Sequence, residues 1–335
     1  MPFTVPAEWS PHQAMWLGFP SHAELWEDNL GPAQDEVAAL ARALAGPGAE
    51  RVRLMVCGDD AETAARARLD GVSGVEIVRG QFGDIWLRDT GPIFTKGDQQ
   101  PGAAGFRFNG WGGKYILDGD EMVADQIAAA SGVPLGVNDF VLEGGALDHD
   151  GFGAVLTTRQ CLLNPNRNPG WTEAEAEAAL ARALGVRKVL WLDDGLVGDH
   201  TDGHVDNLAR FVAPGVVACP VAFGRDDPNA EIYDEAARLL ASLTSGRGAP
   251  LQISRIASPG RILNDEGEAV PASHMNFIIA NEAVIAPLYG EGLAESFALD
   301  TLRSLFPERT VIGLSSRALL SGGGSFHCIS QQEPA

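Results

Sequence analysis

The chain has 335 residues, of which 45% are hydrophobic and 21% charged, with a formal net charge of -21. This is ample material for a large buried core and leaves disorder expected only at the termini. The acidic excess argues against binding a nucleic-acid backbone, which needs clustered Lys and Arg; it suits a small cationic substrate, although it serves solubility equally well.

The stretch Met1 to Glu8 lacks a basic region followed by an apolar one, and no apolar run approaches membrane-spanning length, so a soluble, unexported, cytoplasmic protein without membrane association is expected. From Asp35 to Leu44 apolar residues recur at helical spacing and run into Gly46-Pro47-Gly48, which stops a helix. Val52 to Val56 reads as a strand, Ala61 to Leu69 as a helix and Val75 to Val78 as a strand. The same grammar returns at Glu173 to Leu184 before Val189 to Leu192, at Ile232 to Leu243 before Leu251 to Ile256, and at Leu293 to Leu305 before Thr310 to Gly313. Gly- or Asx-rich segments lead into further strands: WLRDTGPIF, VLEGGALD, HTDGHVDNLARFV, SHMNFIIANEAVIAPLY and LSGGGSFHCI. Their spacing of roughly 50 to 70 residues suggests repeated mixed α/β units about a centre, with a plain mixed sheet as the alternative. No linker divides the chain, so residues 1–335 are expected to form a single domain.

Four cysteines, Cys57, Cys161, Cys219 and Cys328, lie far apart without C-x-x-C spacing, which points to reduced thiols rather than a disulfide scaffold. Cys328 follows Gly322-Gly323-Gly324, and at Gly323 and Gly324 the backbone can approach a ligand closely, so Cys328 is the nucleophile candidate. A thiol attacks as its thiolate, which positive charge favours, including the charge of a bound cation. The other three sit in apolar stretches and read as structural. In Thr201-Asp202-Gly203-His204-Val205-Asp206-Asn207, His204 and Asp206 share a face if the segment is a strand, placing a proton shuttle beside a cation-holding carboxylate. A hydrogen-bonded turn feeding a strand from Leu208 to Val212 is the plain alternative. Asp89 ends a strand-like run before Thr90-Gly91-Pro92, where turn chemistry alone would also account for it. Glu143 directly follows an apolar run, is costly to bury unpaired and calls for a partner, for which a histidine would serve. Trp86 and Trp111 would suit a pocket wall or the core.

The motifs WLRDTGPIF, FNGWGGKY, VLEGGALD, LLNPNRNPG, TDGHVDN and GGGSFHCISQQEP, in this order across nearly the whole chain, resemble the agmatine deiminase (agmatine iminohydrolase) family of guanidine-modifying enzymes. The resemblance implies the pentein fold, an α/β-propeller of five ββαβ-like units around a pseudo-fivefold axis. It also implies Cys328 as nucleophile, His204 as general acid/base, Glu143 as the partner of that histidine, and Asp89 with Asp206 as the guanidinium clamp. Agmatine would become N-carbamoylputrescine and ammonia through an S-amidino intermediate, which would place the reaction in putrescine biosynthesis. No metal or organic cofactor is needed, and a homodimer is compatible with the resemblance.

One departure bears on the substrate. Four positions before His204 the family carries an amine-binding glutamate, and here it is His200. Glu8, Glu24 or Asp199 could take over that charge; otherwise arginine, peptidyl-arginine or a guanidino acid becomes a rival substrate. Ser273-His274-Met275-Asn276-Phe277 resembles a further family motif near the site, and reads equally as the start of a strand. Two other readings remain open: a metal-dependent hydrolase using His200 and His204 with Asp199, Asp202 and Asp206 around them, and a cation-binding module without turnover. Gly203 argues against the helix that the first would need, and the second has no use for both Cys328 and His204.

Overall fold

The computed structural model describes residues 3–97, 101–264, 266–290 and 292–335. A single rhythm recurs along it: two antiparallel strands, a helix, then a third strand laid parallel to the second. Ile93–Gly97 and Pro101–Arg107 pair antiparallel, and after the helix Val123–Ser131 the strand Leu135–Val141 joins in parallel. Asp148–His149 and Ala154–Thr158, the helix Glu173–Leu184 and Lys188–Leu192 repeat the pattern. So do Arg210–Ala213 and Val216–Val221 with Ala230–Ser242 and Gln252–Ala257, and then Ile278–Ile279 and Ala283–Leu288 with Gly292–Leu305 and Thr310–Ser315.

The remaining sheet joins the two ends of the chain. Ser330–Pro334 pairs antiparallel with His12–Gly18, which continues through the helix Leu30–Ala45 into parallel Val52–Val56, and Val75–Arg79 adds an edge. Arg53 fastens this closure, because its guanidinium meets Glu333 at 2.8 Å across 280 residues of sequence.

Local sequence explains the elements. Val52–Val56 is buried at all five positions, as expected of an inner strand with a parallel neighbour on each side. Thr172 and Glu175 form a reciprocal capping box that starts Glu173–Leu184, and Gly185 at φ 67° ends it in the left-handed conformation that glycine adopts without penalty.

Two local expectations change. The run ending at Asp89 is not a strand end: Leu87–Thr90 is a single helical turn. His204 and Asp206 are not on a strand either, since Val205–Asn207 forms a 3-10 turn and the strand begins only at Arg210. Turn chemistry prevails there because the Thr201 hydroxyl accepts the His204 amide at 3.0 Å and Gly203 takes φ 87°.

Each sheet is introduced by a short irregular segment just before its opening antiparallel strand. Asp89 precedes Ile93–Gly97, Glu143 precedes Asp148–His149, His204 and Asp206 precede Arg210–Ala213, Asn276 precedes Ile278–Ile279, and Cys328 precedes Ser330–Pro334. Equivalent places in five sheets thus supply one cluster of polar side chains.

Candidate active site

Cys328 is buried, with its sulfur 3.2 Å from the Asn276 side-chain nitrogen and 3.8 Å from Asp206 Oδ2. Asn276 Oδ1 also accepts the amides of His327, at 2.8 Å, and Cys328, at 3.3 Å, so one amide side chain holds both the backbone and the sulfur of the nucleophile segment. The Cys328 carbonyl accepts the Arg88 amide at 3.0 Å, which ties this segment to the helical turn that carries Asp89.

Asp89 is held on both oxygens. Trp111 Nε1 donates to Oδ2 at 2.9 Å and the Gly145 amide donates to Oδ1 at 2.9 Å. His204 Nδ1 stands 3.6 Å from Oδ1, while its Nε2 is buried without a partner. Asp206 Oδ2 accepts from His327 Nδ1 at 2.8 Å, and Oδ1 is likewise buried and unpartnered. Orphaned buried polar atoms of this kind call for a ligand or water, and here they line the same cluster.

Glu143 takes a partner the sequence reading did not name. Arg167, in the LLNPNRNPG motif, donates to it at 2.6 Å and also reaches Asp202 and the Thr201 carbonyl. His204 is nonetheless close: ligand atoms of Glu143, Cys161 and His204 all lie within 4.8 Å of one another. Cys161, read as purely structural from its apolar surroundings, therefore has its thiol beside the imidazole.

The electrostatics follow from burial and crowding. Burial first, then Asp206 and Asp89, push the Cys328 thiol well above its ordinary range. Burial opposes a charge on His204, but Asp89, Cys161 and Glu143 outweigh it and lift the imidazole well above the ordinary histidine value. Burial raises Asp89, with Asp206 adding to the effect against the pull of His204. Asp206 is lowered, because contacts with His327 and the charges of His204 and Arg210 overcome its burial. This balance favours a protonated nucleophile and a protonated imidazole.

The remaining sequence candidates separate. Trp86 donates to Asp84 at 2.8 Å, as Trp26 does at 3.0 Å, and the two rings lie 6.2 Å apart. A Cβ at Gly324 would sit 2.5 Å from the Trp86 ring, so this glycine is demanded by close approach to indole. Gly323 needs to be glycine for another reason, its φ of 102°. Trp111, through Asp89, belongs to the polar cluster. His200 is exposed, with its Nδ1 2.9 Å from the Tyr115 hydroxyl and its ring stacked on that tyrosine. Among the described residues His200 shares no group of metal-ligating side chains with His204, which removes the geometry that the metallohydrolase reading needs.

Of the acids considered as substitutes, Glu8 is held by Arg210 and His327 and Glu24 is exposed beside His22, whereas Asp199 accepts from Thr201 with Oδ1 and keeps Oδ2 buried without a partner. His274 Nδ1 donates to the Ala257 carbonyl at 2.8 Å and its ring stacks on Tyr289, while Asn276, two residues on, meets the nucleophile. Among the described residues no helix is long and apolar enough to cross a membrane.

Comparison with known proteins shows what the chain as a whole is similar to. A family model described as Porphyromonas-type peptidyl-arginine deiminase matches residues 4–334. An agmatine deiminase of Stutzerimonas stutzeri is 37% identical over 99% of this chain and 96% of its own. The solved agmatine deiminase of Enterococcus faecalis superposes with a TM-score of 0.92 at 32% identity, covering 99% of this chain and 96% of that one. A DDAH from Pseudomonas aeruginosa, at 13% identity and a TM-score of 0.52 over 96% of this chain and 99% of its own, shares the α/β pentein fold alone. The chain belongs to the Porphyromonas-type peptidyl-arginine deiminase family, within its agmatine deiminase branch of guanidine-modifying hydrolases.

Proposed function

We propose that the protein hydrolyses agmatine to N-carbamoylputrescine and ammonia through an S-amidino intermediate on Cys328. The observation that carries this reading is the meeting of the Cys328 sulfur with Asp206, in a buried cluster that also holds Asp89 and His204, in a chain similar over its whole length to agmatine deiminases.

A guanidinium is planar, delocalised and cationic, so its carbon is a poor electrophile. Paired N–H···O contacts to Asp89 and Asp206 would orient the plane and localise its charge, and contacts of this type are stronger than neutral hydrogen bonds. The same positive charge stabilises the thiolate, reversing the repulsion that Asp206 and Asp89 exert on Cys328 in the empty site. Held about 3 to 3.5 Å from sulfur, the carbon is a near-attack target.

Guanidinium binding drives the Cys328 thiol proton out to solvent; the thiolate forms the C–S bond, protonated His204 gives its proton to the departing nitrogen, and the C–N bond breaks to release ammonia. Neutral His204 next takes a proton from water, whose oxygen adds to the amidino carbon; the C–S bond breaks and the thiolate returns. Glu143, neutralised by Arg167, supports His204 rather than the substrate. The module without turnover is disfavoured because binding alone uses neither sulfur nor imidazole.

We read the five sheets as ringed about a pseudo-fivefold axis in one catalytic domain. Support comes from the repeated strand pattern, from the opening segment of each sheet supplying a site residue, and from the pairing of the first and last parts of the chain.

His200 favours a second reading of the substrate's far end. In place of a carboxylate stands an imidazole stacked on Tyr115, an aromatic pair without an acidic group that would suit a guanidino compound with an uncharged or acidic tail. A panel of agmatine, arginine, guanidinobutyrate and peptidyl-arginine, read by ammonia release, decides between them. Fastest turnover of agmatine is expected; preference for an anionic tail would overturn the substrate while keeping the reaction.

A further inference from the structure

Asp206 has one oxygen bound and one bare, and the side chain that binds it is the residue immediately before the nucleophile. His327 is buried and carries a carboxylate oxygen on each ring nitrogen: Asp206 Oδ2 at 2.8 Å from Nδ1 and Glu8 Oε2 at 3.1 Å from Nε2. Glu8 cannot easily turn away. Its Oε1 accepts the Ile279 amide at 2.7 Å, and its Oε2 accepts from Arg210. Arg210 is fully buried and anchored in turn by Asp148 Oδ2 at 2.6 Å and by the carbonyls of Met275, at 3.2 Å, and Phe277, at 3.1 Å.

A neutral imidazole has one donor nitrogen and one acceptor nitrogen. Between two carboxylates its acceptor side would face oxygen lone pairs, so both contacts are satisfied only when the ring donates from both nitrogens. Burial opposes ionisation of Glu8, but Arg210 and His327 outweigh it and hold this carboxyl far below its usual range. Arg88 also contacts this segment, donating to the His327 carbonyl at 3.4 Å. The series Arg210, Glu8, His327, Asp206 therefore alternates in sign and ends beside the reacting sulfur.

We propose that Glu8 and His327 are positioning residues for the deimination: the His327 ring, braced by Glu8, occupies one oxygen of Asp206 and keeps the other bare for the substrate guanidinium. This rests on the deiminase reading of the site. The catalytic carboxylate is locked in rotation by a cationic ring rather than by a neutral donor. Neither Glu8 nor His327 touches the substrate.

The test uses Glu8→Gln, His327→Gln, His327→Met and the double variant Glu8→Gln/His327→Met. Ammonia release from agmatine is measured for each, with thermal melts alongside. Glu8→Gln keeps the size of the side chain and the acceptor for the Ile279 amide, and turns the oxygen that faces Arg210 and His327 into an amide donor, so it removes the charge and the brace together. It is expected to lower kcat/KM by about 10- to 100-fold, the range for losing a charge-assisted hydrogen bond. Most of the loss should lie in KM, with alkylation of Cys328 by neutral iodoacetamide little changed. His327→Gln, which can still donate to Asp206, should recover about tenfold or more of the activity lost in His327→Met, again the worth of one such bond. The double variant should be no worse than His327→Met, because the chain is already cut.

Additive losses, wild-type kinetics in Glu8→Gln, or losses that follow the fall in Tm across all variants would overturn the proposal. If His327→Met does not fold, Glu8→Gln and His327→Gln decide. Agmatine binding to Cys328→Ala, with and without Glu8→Gln, measured by calorimetry, separates the two levels. Weaker binding on adding Glu8→Gln would support the lock even if the wild type released no ammonia, whereas unchanged binding would sink it whatever the turnover.

Discussion

The carboxylate of Asp89 and the imidazole of His204 stand 3.6 Å apart, with the Gly145 amide donating to the same Asp89 oxygen at 2.9 Å. Their approach requires that residue 145 have no side chain, because a Cβ there would sit 2.6 Å from His204 Nδ1 and 2.7 Å from Asp89 Oδ1. Gly145→Ala is therefore expected to push the two groups apart. It should cost about 1–3 kcal/mol of stability from overpacking and lower kcat/KM more than its fall in Tm explains. Wild-type kinetics in a folded variant would contradict this geometry.

Replacing the nucleophile tests the covalent scheme directly. Cys328→Ser keeps nearly the same volume in a buried site, so Tm should move by no more than about 3 °C. Ammonia release should fall by more than about a thousandfold, as when other enzymes lose their nucleophile. Mass spectrometry of quenched wild-type enzyme should find an amidino adduct on Cys328 that the serine variant lacks. An active serine enzyme would remove the S-amidino intermediate.

The charge around Cys328 sets a pH dependence whose sign is definite. Burial, Asp206 and Asp89 all disfavour its thiolate, so the thiol lies well above its ordinary value in the empty enzyme. Alkylation by neutral iodoacetamide should thus be slow at neutral pH and accelerate only above the usual thiol range. A haloacetamidine brings its own positive charge and should react much faster at pH 7. Equal rates for the two reagents across the pH range would show a thiolate already formed without a cation.

Arg167 donates to Glu143, Asp202 and the Thr201 carbonyl at once, and its side chain is almost wholly buried. Arg167→Met leaves the equally buried Glu143 carboxylate without its counter-charge, a change that costs about 3–5 kcal/mol in buried pairs. Lysine should rescue poorly, because one ammonium cannot span three acceptors in the guanidinium's planar arrangement. Urea unfolding of the three proteins checks both statements.

Much of this architecture was legible in the residues. The helices over Glu173–Leu184 and Ala230–Ser242 and the strands that follow them stand within about two residues of where apolar periodicity puts them, since burial on one face or on both is written directly into that pattern. The catalytic candidates were legible through ordered motifs, and the structure brings Cys328, His204, Asp89, Asp206 and Glu143 into one neighbourhood. Three of their contacts were not legible. Asn276, Arg167 and His327 reach the site from motifs already marked by resemblance, yet nothing in their local sequence tells a donor aimed at sulfur or carboxylate from one satisfied by its own backbone. Cys161 misled for the opposite reason: apolar neighbours indicate burial, and burial is equally compatible with standing beside a catalytic histidine.

By itself, the sequence determined the recurring helix–strand pairs and placed a Gly- or Asx-rich segment between each pair and the strands that follow, because hydrophobic period and turn chemistry act over a few residues; which strands pair, and in which direction, was left to the tertiary structure. Only the tertiary structure decided which oxygen of Asp206 is taken by His327, which partner neutralises Glu143, and that His200 turns to Tyr115. Those outcomes depend on contacts between segments far apart in the chain, and hydrogen-bond pairing is settled by ångström-scale distance and direction, which no local pattern of residue types encodes.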